Sequence, residues 1–102
     1  MLDRVVLHYC GQNQDMGYDG IRAGQADKVW DVSKPTALKR LRTLVEKGLM
    51  FERTKHWRGD AVVKIFVLSP KAMKMYKGNQ FRPAYIAFLK MPDEHSYQSK
   101  LF

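Results

Sequence analysis

The sequence predicts an α+β domain in which three helices lead into a two-stranded β-hairpin and two further short helices follow it. Three observations carry this expectation. Ser33 and Pro35 form a helix start signal, and the apolar stripe that follows, Ala37, Leu38, Leu41, Leu44 and Val45, is closed by Gly48. Two β-rich stretches, 49–54 and 61–68, flank the turn Trp57-Arg58-Gly59-Asp60. Only Asp31, Val32 and Ser33 separate the second helix from the third, which is the spacing of a helix-turn-helix connection.

Each element has its own warrant. Leu2, Val5, Val6 and Tyr9 recur at i, i+3, i+4 and i+7, which predicts a short first helix ending before Gly11; the β-branched content fits a strand as well. Gly11 to Gly20, rich in Gly, Asn and Asp, reads as a loop. Ile21 to Trp30 reads as the second helix, with Ala23, Ala26, Val29 and Trp30 inward and Gly24 weakening it. On the third helix, Thr36, Lys39, Arg40, Thr43 and Lys47 fall opposite the apolar stripe. Ser69-Pro70 repeats the cap-and-proline signal and opens a helix over Lys71 to Lys77. Pro83 to Lys90 follows as an amphipathic helix with Phe81, Tyr85, Phe88 and Leu89 on one stripe.

The chain has 102 residues, enough for one domain with a modest core and too few for a large cofactor cleft. Residues 1–77 form the expected domain, and 78–102 a C-terminal extension. The net charge is +8, and it is unevenly spread: −2 over residues 1–33, +6 over 34–69 and +4 over 70–102. A positive field that begins at Lys34 favours a polyanionic partner, nucleic acid before membrane surface. No apolar run approaches the length of a membrane span, and no signal peptide is expected, so a cytoplasmic, nucleoid-associated location follows. The single cysteine, Cys10, excludes an internal disulfide framework and is expected to be a buried small hydrophobe. His8, His56 and His95 lack metal-ligand spacing, and no glycine loop cradles a phosphate. No catalytic activity, metal or cofactor is therefore expected.

Val32-Ser33-Lys34-Pro35-Thr36, Leu38 through Leu44, and Glu46-Lys47-Gly48-Leu49 together resemble winged helix-turn-helix regulators of the MarR-like kind. Val67-Leu68-Ser69-Pro70 resembles the step out of the wing in such proteins. The resemblance covers about Ile21 to Tyr76, with Asp31 standing where the pattern's turn has a glycine. It implies a three-helix core, a two-stranded wing and a C-terminal helical extension. It also implies that the third helix enters the major groove of double-stranded DNA while the wing follows the backbone or minor groove.

Under that expectation Ser33, Lys34, Thr36, Lys39, Arg40 and Thr43 are the DNA-contacting residues of the third helix, with Arg40 and Lys39 the foremost readers. In the wing, Lys55, Trp57 and Arg58 are candidates, within a set that includes Arg53, His56 and Lys64. Trp57 either stacks on sugar or base or packs back on the domain. Arg58-Gly59-Asp60 is read as turn chemistry only. Trp30 is expected in the core, and the methionines as core filler. The stripe Phe81, Tyr85, Phe88 and Leu89 is expected to form a homodimer interface, with packing back against the first helix as the alternative. A small transcription regulator is the leading function. The competing one is a winged-helix docking module of a larger assembly, holding a protein partner through its aromatic C-terminus.

Overall fold

The computed structural model describes residues 2–56 and 58–91. The first helix, α1 (Leu2–Asp15), outruns its predicted end and passes straight through Gly11. The reason lies 65 residues away. A Cβ built at position 11 would sit 2.6 Å from the ring of Tyr76, so glycine is there to let the ring approach, not to break the helix. Val5, Val6, Leu7 and Cys10 make the buried side of α1.

Ile21 also departs from expectation. It is not the first residue of a helix but forms an antiparallel bridge with Phe66. Both hydrogen bonds are made: the Ile21 N–H donates to the Phe66 carbonyl at 2.9 Å and the Phe66 N–H to the Ile21 carbonyl at 2.8 Å. Helix α2 (Ala23–Trp30) starts beyond it, where the Gln25 side chain accepts from the Arg22 N–H at 3.0 Å. Trp30 is buried as its sequence position predicts, and its indole N–H donates to Asp3 Oδ1 at 3.1 Å. Asp31 ends α2 in the left-handed region, at φ 56°. Aspartate tolerates that conformation better than most side chains, which is how the connection closes without glycine.

Helix α3 (Lys34–Glu46) has the predicted start: the Ser33 hydroxyl accepts from the Thr36 N–H at 3.4 Å, and Pro35 occupies the first turn. Ala37, Leu41 and Leu44 are buried, with Leu38 and Val45 packed beside them. Strands β1 (Met50–His56) and β2 (Val62–Leu68) pair antiparallel from Met50↔Leu68 to His56↔Val62. Only Met50 of β1 is buried, whereas β2 buries Ile65, Phe66 and Leu68. The hairpin is thus rooted in the core at one end and stands out into solvent at the other.

Ser69 anchors that root. Its hydroxyl donates to the Gly48 carbonyl at 2.7 Å and accepts from the Ala72 N–H at 3.2 Å, capping α4 (Pro70–Lys77). Helix α5 (Arg82–Lys90) then packs on α1. The fold is therefore α+β, with five helices and a two-stranded sheet among the described residues.

The expected dimer stripe is corrected here. Phe81 and Phe88 are 1% and 3% exposed and belong to the same core as Val5 and Trp30. Tyr85 is half-buried, stacked on His8 with ring centroids 4.1 Å apart and set edge-on to Tyr9. Only Leu89 of the four is exposed. The surface of α1 that meets α5, with His8 and Tyr9, lies within the stretch the sequence already reads as helical, so packing back on the first helix is the arrangement observed. The methionines also divide: Met50 is buried and Met73 and Met75 are packed at the core edge, but Met16 and Met91 are exposed.

The α1–α5 contact has a pH consequence. The His8 ring lies between Tyr85 and Tyr76, and its Nδ1 is buried with no hydrogen-bond partner among the described residues. Burial, and then the nearby Arg82 charge, hold its pKa below the ordinary value of 6.5. The unfolded chain therefore binds this proton more readily than the folded one. The stabilising contribution is complete above pH 6.5 and is lost as pH falls below it towards the depressed native value. The melting temperature is expected to drop between pH 7 and pH 5.5, and His8→Phe, which keeps a ring against Tyr85, is expected to flatten that part of the profile. An equally steep profile in the variant would remove His8 as its source.

Candidate nucleic-acid interface

One side of α3 is fully accessible. Lys34, Thr36, Lys39, Arg40 and Thr43 are all exposed, as is Ser33 before them. Their chemistry is less uniform than the sequence implies. The Ser33 hydroxyl donates to Thr36 Oγ1 at 3.0 Å, so the two hydroxyls form one capping pair. Thr43 commits its hydroxyl proton to the Lys39 carbonyl at 3.1 Å, a bond within the helix's own backbone. Lys34 lays its stem across α2, its Cε 3.5 Å from where a Cβ at Gly24 would be. Arg40 holds its guanidinium 5.7 Å from the centre of the Trp30 ring, a cation–π distance. Lys39 makes no comparable contact among the described residues and extends from the middle of the face.

The hairpin contributes a second group of cations. Arg53 lies over the Phe51 ring at 5.8 Å, and Arg58 is exposed at the turn. Lys55 differs from expectation: its ammonium is ion-paired with the carboxylate of Asp19, from the segment joining α1 to α2. It braces the hairpin against the body and is not a free cation. Trp57 lies outside the described residues.

Sequence reasoning missed an ionic group at the junction of α3 and the hairpin. Arg42 forks onto Glu52, Nε to Oε1 at 3.1 Å and Nη2 to Oε2 at 3.3 Å. Lys64 approaches the same carboxylate at 3.6 Å. The Arg42 hydrogen bonds hold the Glu52 carboxyl below its usual range, and Glu52 in turn raises the Arg42 guanidinium. Nothing local in the sequence marks this pairing, because the turn at Gly48 is what brings positions 42 and 52 together.

No protein family, curated protein or solved structure matches this chain. The assignment of chemistry therefore rests on the surface itself. Among the described residues, none of Lys34, Lys39, Arg40, Arg53 and Arg58 is ion-paired, whereas Arg42, Lys55 and Lys64 are. Five exposed cations on α3 and the hairpin thus have no ion-pair partner among the described residues. Among the same residues no cluster of His, Cys, Asp or Glu could hold a metal ion, and no helix is long and apolar enough to cross a membrane.

Proposed function

We propose that this chain is a winged helix-turn-helix protein that binds duplex DNA, with α3 in the major groove and the hairpin acting as the wing along the backbone or minor groove. The observation that carries the reading is the set of exposed cations on α3 and the projecting hairpin that have no ion-pair partner among the described residues. A helix with its side chains is about 10–12 Å across, close to the width of the major groove. The first turn, with Ser33, Lys34 and Thr36, meets the backbone, where amides and short hydroxyls position the helix. Lys39 and Arg40 sit deeper, and a guanidinium released from Trp30 forks onto guanine O6 and N7. Arg53 and Arg58 neutralise phosphates from the wing.

A small regulator of transcription, acting as a homodimer, is the function this mode of binding serves best. Leu89 is the part of the expected dimer face that stays available to a second copy, and Met91 and the half-buried Ile86, outside that expected face, extend the apolar rim. The same apolar rim favours the alternative reading, a winged-helix module docked on another protein.

The test is binding to random-sequence duplex DNA across a salt series. If about four or five phosphates are neutralised, log K falls against log salt with a slope of roughly −4. Arg58→Ala is expected to reduce the slope by about one, the signature of a lost phosphate contact. Arg40→Ala is expected to weaken binding to a selected site more than to random duplex, by about 1–3 kcal/mol for a lost bidentate base contact. Absence of binding by the wild-type protein even at low salt would overturn the reading.

A further inference from the structure

Glu52 lies at the junction of α3 and the hairpin, and a carboxylate there is unexpected for a protein that meets a polyanion. It lies on β1, its first partner Arg42 on α3, and its second partner Lys64 on β2. Lys64 reaches it diagonally across the hairpin, because Glu52 pairs with Phe66 and Lys64 with Thr54. One carboxylate thus ties three elements together.

Stability does not account for it. All three side chains are solvent-accessible, at 45% for Arg42, 52% for Lys64 and 29% for Glu52, and exposed ion pairs add little to folding. What the carboxylate does is occupy a guanidinium fork that would otherwise fit a phosphate equally well. Phosphate contacts raise affinity for every sequence alike, and discrimination is a difference of affinities. Two more cations free to meet the backbone would therefore strengthen binding to wrong sites as much as to the right one.

We propose that Glu52 is a specificity-determining positioning residue: by holding Arg42 and Lys64 it withholds two cations from the DNA backbone and fixes the hairpin against α3. The inference rests on the duplex-binding reading above.

The experiment uses the full chain as wild type, Glu52→Gln, Glu52→Asp, and Glu52→Gln in an Arg42→Gln/Lys64→Gln background. Each is titrated with random-sequence duplex across salt and then used to select sites from a random pool. Glutamine keeps the size and an acceptor for Arg42, so the melting temperature reports whether the fold is retained. Glu52→Gln is expected to bind random duplex more tightly, with a salt slope steeper by about one to two units as the released cations take phosphates. Its selected pool is expected to be less enriched than that of the wild type. Glu52→Asp, which restores the charge, is expected to return the slope towards wild type. In the Arg42→Gln/Lys64→Gln background the Glu52→Gln gain is expected to vanish.

Two results would overturn the inference. One is a Glu52→Gln protein with a lower melting temperature but wild-type slope and selectivity, which makes Glu52 a brace only. The other is a gain that persists without Arg42 and Lys64, which makes it general charge removal. A wild-type protein that does not bind duplex fails the functional reading itself, and the two failures are told apart by the wild-type titration alone.

Discussion

Phe66→Ala is expected to destabilise the protein by about 3–5 kcal/mol, the range for emptying an aromatic site in a packed core. Phe66 is fully buried, near the middle of β2. Its backbone is engaged on both sides of the residue: the carbonyl accepts from the Ile21 N–H and from the Cys10 thiol at 3.2 Å, and the amide donates to Ile21. Truncation leaves those bonds formally in place and removes a fully buried ring from the shared core. A domain of this size has only about 5–15 kcal/mol in total, so much of the protein's stability is at stake. Urea denaturation should show a lower midpoint with an unchanged slope. A loss below about 1 kcal/mol would mean that the surrounding helices collapse into the space, and that Phe66 is not the centre of the core.

Gly20→Ala is expected to cost about 2–4 kcal/mol, from two separable sources. Gly20 has φ 73°, where a side chain meets its own backbone. A Cβ there would also lie 2.2 Å from the Phe66 carbonyl oxygen, and backbone of a paired strand cannot swing aside as a side-chain tip can. Gly17 separates the two effects. Its φ is 86°, but a Cβ at that position would have nothing within 4 Å. Gly17→Ala should therefore show the conformational cost alone, and Gly20→Ala should exceed it by about 1–3 kcal/mol, the cost of forcing atoms into packed space. Equal losses in the two variants would mean that the Ile21–Phe66 bridge yields without strain.

Where the sequence is legible, the signals are local. Ser33, Pro35, the apolar stripe and Gly48 specify α3 within one stretch of chain, and Ser69-Pro70 does the same for α4. The hairpin is legible from its two β-rich stretches and its turn. The misreadings share a different cause. Gly11 reads as a terminator because Tyr76, which needs it, is far away in sequence. Ile21 reads as helical because its partner, Phe66, is on the other side of the hairpin. Phe81 and Phe88 read as uncovered because the first helix, on which α5 packs, is about 70 residues away in sequence. The candidate interface divides in the same way. Helical spacing places Thr36, Lys39, Arg40 and Thr43 on one face. That Lys55 is engaged by Asp19 and Arg42 by Glu52 depends on contacts that only the folded chain creates.

Cys10 gives these variants a common clock. Its thiol is buried against the Phe66 carbonyl, and burial pushes its pKa up to about 12. Neither the reactive thiolate nor a path for a reagent exists in the closed protein. Alkylation can therefore proceed only through transient openings, and its rate counts them. The only thiol in the chain sits where α1, Ile21 and β2 meet. One mass-spectrometric time course of its alkylation, with no engineered probe, would time the breathing of the very joint that Phe66 and Gly20 hold shut.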